Sequence, residues 1–186
     1  MLTVPDTLVS PDVVAAYDEL APAYDRLFSD PGSLAEDAAL LAHLGDLSGL
    51  SVLDVGCGTG WLLDHAAPAA YVGIDPSHGM LDQLIAKHPN RAGDVSCVPL
   101  RDFVGGRFDL VVALFGVASY LRDEELARIP GLLAPGGRYV LMFYMPDYYP
   151  RTHREMTIPP SYRTHLPVWL GPGHCWGNYL SIEGPA

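Results

Sequence analysis

The stretch VLDVGCGTG, residues 52–60, decides the fold of this chain of 186 residues. It begins in a short apolar run, SVLDV at 51–55, which is typical of a buried strand. Gly56, Gly58 and Gly60 follow the run, and a helical pattern follows them. Glycine accepts positive φ and lets the backbone approach a ligand closely. Strand, glycine-rich turn and helix together favour a ligand-binding loop over a plain turn.

Apolar strands and helices alternate from this loop to residue 145. Further strands are predicted over 71–75, 94–98, 108–115 and 138–145, and helices over 12–28, 33–44, 59–67, 77–87 and 122–133. Short strands joined by helical crossovers predict a parallel sheet that is covered on both faces. The fold class is therefore α/β, a doubly wound, mostly parallel sheet whose ligands bind beyond the carboxyl ends of the strands.

The length favours a single domain, 1–186, with three parts. An N-terminal helical cap spans 1–48, an α/β core spans 49–145, and a tail rich in proline and aromatic residues spans 146–186. In the second helix of the cap we expect Ser33 as N-cap with Glu36 completing a capping box, and Gly45 as C-cap.

Asp75 ends the second predicted strand about 20 residues after the glycine loop, where an acid can accept both hydroxyls of a ribose. It also stands where a helix begins, so an N-cap role is the alternative, and the two roles are compatible. The loop has the spacing G-x-G-x-G, whereas a dinucleotide fingerprint has G-x-G-x-x-G. Trp61, and not a lysine, follows Gly60, so a P-loop is not supported.

Charge and cysteine content exclude several classes. The net charge is −11, from 22 acids against 11 Lys and Arg, which argues against nucleic-acid partners and anionic membrane surfaces. The three cysteines form no C-x-x-C pair, and the histidines of the tail lack metal-ligand spacing, so we expect no metal site and no disulfide framework. Reduced thiols and the absence of a signal-peptide pattern or a long apolar run predict a cytoplasmic protein.

Five segments resemble, in order and spacing, the class I S-adenosylmethionine-dependent methyltransferases of small-molecule type. They are VLDVGCGTG (52–60), VGIDPSHGML (72–81), GDVSCVPL (93–100), RFDLVVALF (107–115) and LLAPGGRYVL (132–141). They cover about residues 50–145, half of the chain. YDELAPAYDRLF (17–28) is similar to the Y-D-x-x-A-x-x-Y-D helix that precedes the domain in many members. The resemblance implies a Rossmann-like methyltransferase fold that binds S-adenosylmethionine and releases S-adenosylhomocysteine.

The resemblance also implies roles at the methionine end of the cofactor. Asp54, Gly56, Cys57 and Gly58 would line the methionine and ribose, and Tyr24 would close over the methionine tail. Ordinary packing on the apolar face of its helix explains Tyr24 nearly as well. Asp54 would in addition anchor the glycine loop or reach the cofactor's amine.

At the nucleoside end, Asp75 would bind the ribose hydroxyls. Pro76 and Met80 would flank the adenine, although core packing explains Met80 equally well. Asp94 and Val95 would meet the adenine edge, with the carboxylate accepting from the adenine amino group. These assignments follow from the resemblance and from the matching positions alone.

Leu114 and Phe115, after the fourth strand, would face the sulfonium and the acceptor. Methyl transfer requires alignment and exclusion of water, and it requires a general base only when the nucleophile carries a proton. Tyr120 and His153 are candidates for such a base, although packing or surface roles are the more common use of such residues. We expect a small-molecule acceptor that is methylated at oxygen or nitrogen.

The tail departs from the family, which normally continues with a helix and a reversed β-hairpin. Prolines leave room for only two short strands, predicted near 162–169 and 175–182, that would form a shortened C-terminal region. The aromatic residues of the tail would form an acceptor lid, a subunit contact that mediates oligomerisation, or simple packing. Two alternatives to methyl transfer by this chain alone remain. One is a cofactor-binding subunit that needs a partner chain, and the other is aminopropyl transfer from a decarboxylated cofactor, for which an extra acidic cluster is missing.

Overall fold

A sheet of seven strands consists of five adjacent parallel strands and two antiparallel strands at one edge. The computed structural model describes residues 11–144, 173–176 and 179–185. The strands are β1 (Ser51–Val55), β2 (Ala70–Ile74), β3 (Val95–Ser96), β4 (Phe108–Ala113), β5 (Leu133–Tyr144), β6 (Gly173–Trp176) and β7 (Tyr179–Pro185). Their order in the sheet is β3-β2-β1-β4-β5-β7-β6. This order reverses between β1 and β4, which places a crevice at their carboxyl ends. The doubly wound, mostly parallel sheet is therefore confirmed.

Helices cover the sheet and precede it. They are α1 (Pro11–Leu20), α2 (Tyr24–Leu27), α3 (Pro31–Leu44), α4 (Trp61–His65), α5 (His78–Lys87) and α6 (Asp123–Arg128). In the described part of the chain, none of them has the length and apolarity needed to cross a bilayer.

Prolines account for two differences from the predicted helices. The continuous helix over 12–28 is wrong, because a 3-10 turn at Ala21–Ala23 separates α1 from α2 around Pro22. The helix predicted over 122–133 ends at Arg128, and a 3-10 segment containing Pro130 follows it. Proline lacks the N–H of an α-helical hydrogen bond and clashes with the preceding turn.

The N-cap of α3 is Asp30 and not Ser33 as predicted. Asp30 Oδ1 accepts hydrogen bonds from the backbone N–H groups of Gly32 and Ser33, at 2.9 and 3.2 Å. Pro31 occupies the first helical position, which its fixed φ favours. The helix therefore starts two residues earlier than Ser33, and it ends at Gly45 with φ of 73°, as predicted.

Both faces of the sheet are buried. On β4, Leu110 and Val112 belong to one apolar cluster and Val111 and Ala113 to the other. Successive side chains of a strand point to opposite faces, so a strand covered on both sides is apolar throughout. This explains why the strands appear in the sequence as continuous apolar runs.

The C-terminal strands correct two predictions. β5 begins at Leu133, five residues before the predicted start, and the pairing with β4 shifts register between Phe108 and Leu110. The predicted strand over 175–182 is wrong, because β6 ends at Trp176 and the antiparallel β7 starts at Tyr179. In the sequence Gly177-Asn178 separates them, a two-residue hairpin signal. The strand predicted over 162–169 lies outside the described residues.

We predict that Gly116→Ala lowers the free energy of unfolding by about 1–3 kcal/mol, measured by urea denaturation. Gly116 has φ of 84°, and an added Cβ would overlap Cζ of the buried Tyr144 ring. Gly106→Ala is the matched control, since nothing lies within 4 Å of its added Cβ. Equal stability of the two variants would contradict the prediction.

Candidate active site

A cavity opens where the order of the strands reverses. Its lining includes residues at or just after the ends of β1, β2 and β4, namely 54–59, 75–77, 114–115 and 117. Residues of α1 and α2 also line it, including Tyr17 and Tyr24. The cavity therefore lies beyond the carboxyl ends of the parallel strands, where ligands of doubly wound folds bind.

The glycine loop after β1 is bound to the end of β2. The N–H groups of Gly56 and Cys57 both donate to the carbonyl of Ile74, at 2.7 and 3.1 Å. Gly56 has φ of 69°, and a Cβ there would lie 2.5 Å from Cγ1 of Val117. Only glycine fits this backbone and this close approach without strain. The loop is thus fixed before any ligand enters.

Asp75 connects the loop to the start of α5. Its Oδ2 accepts from the N–H of Gly58 at 2.9 Å, and its Oδ1 accepts from the N–H of Ser77 at 2.8 Å. Burial raises the pKa of Asp75 to about 6, against the opposing effect of these two hydrogen bonds. The side-chain N-cap of α5 is Ser77, whose hydroxyl accepts from the N–H of Met80. Asp75 therefore keeps carboxylate lone pairs available toward the cavity.

Asp54 is the second buried acid of the site. The hydroxyl of Tyr71 donates to its Oδ2 at 3.0 Å, and 4% of the residue is exposed. Burial raises the pKa of Asp54 to about 7, the Tyr71 hydrogen bond opposes that rise, and the charge of Asp75 adds to it. Neither acid takes part in an ion pair among the described residues. Two buried acids without a cation suit a positively charged ligand.

The N-terminal cap is attached to the core by two aspartates. Asp18 accepts from the hydroxyl of Ser77 at 2.6 Å and from the N–H of Gly79 at 2.8 Å. Asp25 accepts from the hydroxyl of Thr59 at 2.5 Å and forms an ion pair with Lys87 at 3.0 Å. These aspartates are the acidic members of the Y-D-x-x-A-x-x-Y-D pattern. They hold the cap against the loop and the start of α5.

The tyrosines of the same pattern line the cavity together with Tyr120. The ring of Tyr17 lies 6.2 Å from that of Tyr24 and 6.4 Å from that of Tyr120, measured between centroids. The hydroxyls of Tyr17 and Tyr120 are 3.4 Å apart. Burial is the main cause that raises the pKa of both Tyr17 and Tyr24 above the usual value. Both phenols therefore stay protonated at neutral pH.

Ten of the twelve residues predicted to bind the cofactor line the cavity: Tyr24, Asp54, Gly56, Cys57, Gly58, Asp75, Pro76, Met80, Leu114 and Phe115. The base candidate Tyr120 lines it as well. The other base candidate, His153, lies outside the described residues. Most aromatic residues of the proposed lid lie outside them too, whereas Trp176 ends β6 and Tyr179 begins β7. The structure thus brings together most of the predicted site without assigning a role to any member.

The structure does not bring Asp94 and Val95 to the cavity. The carboxylate of Asp94 forms an ion pair with Arg91 at 3.1 Å, and Val95 pairs with Gly73 in the sheet. The wall expected from them is formed three to six residues later, by 98–100. The third strand, predicted over 94–98, spans only Val95–Ser96, so Asp94 precedes the strand and 98–100 follow it.

Sequence reasoning missed Trp61, which contacts the cavity directly after the loop. Its ring packs edge-on against Phe115, with centroids 4.8 Å apart. Phe115 has φ of 50°, a left-handed conformation that is uncommon for a bulky residue and typical of functional sites. The only signal for Trp61 was its position after Gly60.

Matches to known proteins agree with this geometry. The model of a family described as a methyltransferase domain matches residues 53–139. A tRNA U34 carboxymethyltransferase of Alcanivorax borkumensis is 37% identical over 110 residues, which are 53% of this chain and 34% of that protein. A ubiquinone biosynthesis O-methyltransferase of Bradyrhizobium sp. is 34% identical over 148 residues, 75% of this chain and 56% of that protein. The chain thus spans about a third to somewhat more than half of these relatives.

A solved structure extends the likeness of the fold. Magnesium protoporphyrin IX methyltransferase from Synechocystis PCC 6803, crystallised with bound S-adenosylmethionine, superposes with a TM-score of 0.60. The superposition covers 95% of this chain and 98% of that one, at 18% identity. At this identity the match concerns the fold, and it supports the Rossmann-like methyltransferase fold that the sequence predicted.

We predict that Asp54→Asn changes the free energy of unfolding of the ligand-free protein differently at pH 5 and pH 8. The change should be more stabilising at pH 8 by about 1–3 kcal/mol. The pKa of Asp54 is about 7 in the fold, above its value in an unfolded chain. The fold therefore loses stability as pH rises through that pKa, and asparagine removes the charge responsible. Urea denaturation at both pH values measures the difference.

Asp109→Asn is the control of opposite sign. Hydrogen bonds from the hydroxyl and N–H of Ser51 hold the pKa of Asp109 below its usual value. Its ionised form thus stabilises the fold at high pH, and this variant should lose stability at pH 8. If Asp54→Asn also destabilised the protein at pH 8, the assignment of Asp54 as a destabilising buried charge would be wrong.

Proposed function

The chain belongs to the class I S-adenosylmethionine-dependent methyltransferases, and we propose that it transfers the cofactor's methyl group to an oxygen or nitrogen of a small organic molecule. The observation that carries the proposal is the pair of buried acids, Asp54 and Asp75, on either side of a fixed glycine loop at the reversal point of the sheet. The cofactor carries a sulfonium and an ammonium group, so acids without their own cation fit it.

We assign the parts of the cofactor along this cavity. Asp75 accepts from the ribose hydroxyls through lone pairs that Gly58 and Ser77 leave free. Asp54 faces the ammonium group, which then holds this carboxyl in its ionised form. The adenine lies between Met80 and the wall formed by 98–100. This last contact replaces the one that the sequence assigned to Asp94 and Val95.

We assign the reaction centre to the space beside the residues that follow β4. Bound S-adenosylmethionine supplies a methyl group that is already activated by the positive sulfur. Leu114, Phe115 and the ring of Tyr24 exclude water from that position, which catalysis of this kind requires. Aromatic rings also attract a cation through their faces, so they stabilise the sulfonium without a fixed negative charge.

The hydroxyls of Tyr17 and Tyr120 lie on the same side and orient an acceptor. A raised pKa makes the Tyr17 hydroxyl a hydrogen-bond donor rather than a base at neutral pH. An acceptor that is an amine or an easily ionised hydroxyl fits this arrangement, because it needs no strong base. Tyr120 and His153 stay candidates for a base should the acceptor require one.

A small molecule is the acceptor class that the charge supports. With a net charge of −11 the chain repels a polyanion, whereas affinity for nucleic acid comes mainly from contacts between Lys or Arg and phosphates. Some relatives are named as tRNA U34 carboxymethyltransferases. The net negative charge of this chain is the reason for which we propose a small molecule, and not tRNA, as its acceptor. We further propose that 1–186 forms one domain. Free thiols at Cys57 and Cys97 support a reducing, cytoplasmic compartment.

We predict that S-adenosylhomocysteine binds the chain and that Asp75→Ala weakens this binding at least tenfold, about 1.4 kcal/mol. The variant loses the acceptor of the ribose hydroxyls and the tether of Gly58. Isothermal titration calorimetry measures both affinities. Asp94→Ala is the matched control, because this aspartate faces Arg91 outside the cavity and its removal should leave the affinity unchanged within about twofold. A folded wild-type chain without affinity would refute the proposal.

Turnover is tested by following S-adenosylhomocysteine formation from S-adenosylmethionine with separate pools of small phenols, small amines and tRNA. We expect product with a small-molecule pool and none with tRNA. Methylation of tRNA alone would contradict the proposed acceptor class. Tight cofactor binding with no turnover in any pool would favour the alternative of a subunit that needs a partner chain.

A further inference from the structure

The indole of Trp61 carries a buried hydrogen-bond donor that the described chain leaves unused. Its Nε1 is shielded from solvent and has no hydrogen-bond partner among the described residues. Trp61 is also one of the residues that line the cavity. An unpaired buried N–H costs about 1–3 kcal/mol, and such groups are nearly always paired in native proteins. The donor therefore fits a partner supplied by a ligand.

The ring of Trp61 is held in place on two sides. Phe115 packs edge-on against it, and the ring of His65 lies 4.9 Å away between centroids. The Nδ1 of His65 in turn makes a hydrogen bond with the carbonyl of Trp61 at 2.9 Å, which fixes the imidazole. A donor that is positioned before binding loses little conformational entropy when its partner arrives.

The charges around the cavity determine what kind of partner needs this donor. The described lining contains no Lys, Arg or His, whereas Asp54, Asp75 and Glu125 are acidic. Lys87 is not among the lining residues, and it forms ion pairs with Asp25 and Asp64. An anionic group that enters this cavity finds no cation among these residues. It depends on neutral N–H and O–H donors.

Given that the cavity binds S-adenosylmethionine as in the proposed function, on which this inference rests, we propose that Trp61 Nε1–H donates a hydrogen bond to the carboxylate of the methionine tail. Trp61 then determines that the site takes the intact cofactor in preference to its decarboxylated form. Both ends of the tail are recognised from either side of the glycine loop. Asp54, before the loop, holds the ammonium group, and Trp61, after the loop, holds the carboxylate.

The test compares two ligands that differ only in this carboxylate. Calorimetry measures the affinities of wild type and Trp61→Phe for S-adenosylhomocysteine and for S-adenosyl-3-thiopropylamine, its decarboxylated analogue. Phenylalanine keeps an aromatic ring against Phe115 but removes the donor. We expect the variant to bind S-adenosylhomocysteine at least fivefold more weakly and the analogue with a change below twofold. Equal losses for both ligands, or no loss for either, would overturn the inference.

A second measurement uses the unaltered protein, so that it does not depend on the folding of the variant. In protein whose tryptophan indoles are labelled with ¹⁵N, NMR follows the Nε1–H resonance of Trp61. S-adenosylhomocysteine should move this resonance downfield, whereas the analogue should change its chemical shift only slightly. A resonance that responds equally to both ligands would overturn the assignment. In that case the proposed function stands, because S-adenosylhomocysteine still binds. A wild-type chain that binds neither ligand would count against the proposed function itself and the inference with it.

Discussion

The geometry of the site depends on the two hydrogen bonds that the carboxylate of Asp75 accepts. One oxygen holds the glycine loop through Gly58, and the other holds the start of α5 through Ser77. The backbone of the loop is meanwhile bound to the last carbonyl of β2. A buried acid is costly to ionise, and its raised pKa reflects that cost. A cationic ligand favours the ionised form of the buried acids Asp54 and Asp75. The stability of the ligand-free protein favours their protonated form, so ligand binding and stability favour opposite charge states of the same groups.

The cap depends on the same arrangement. Asp18 accepts from Ser77 and Gly79 at the start of α5, two and four residues after Asp75. Asp25 reaches Thr59 within the glycine loop. The two aspartates of the Y-D-x-x-A-x-x-Y-D pattern therefore attach the cap to the very segments that hold the cofactor in the proposed function. The neighbouring tyrosines are placed over the cavity as a consequence, which explains why tyrosine and aspartate recur together in this pattern.

The parts of the fold that the sequence predicts are those where one local signal dominates. β1 has the predicted bounds because an apolar run ends directly in three glycines, and α5 is predicted within one residue because Ser77 caps it. The start of α3 was misplaced because Asp30-Pro31 is as good a helix signal as Ser33. The bounds of β3 were predicted less well, because it has only two residues. Tertiary pairing with β2, and no local pattern, determines where it begins and ends.

In the proposed site, the acidic residues lie at the ribose and the ammonium group, and neutral residues lie at the reacting sulfur. Asp54 lies near the end of β1 and Asp75 follows β2, whereas Leu114 and Phe115 follow β4 at the position proposed for the sulfonium. Glu125 also borders the cavity, but its carboxylate is held by Arg122 and by the N–H of Arg101. A carboxylate directly beside the sulfonium would stabilise a charge that disappears during methyl transfer, and would thereby raise the barrier. Neutral aromatic and aliphatic groups at the reacting sulfur stabilise this charge less than a carboxylate would, so they oppose the reaction less. The fixed charges at the ribose and the ammonium group bind parts of the cofactor whose charge does not change in the reaction.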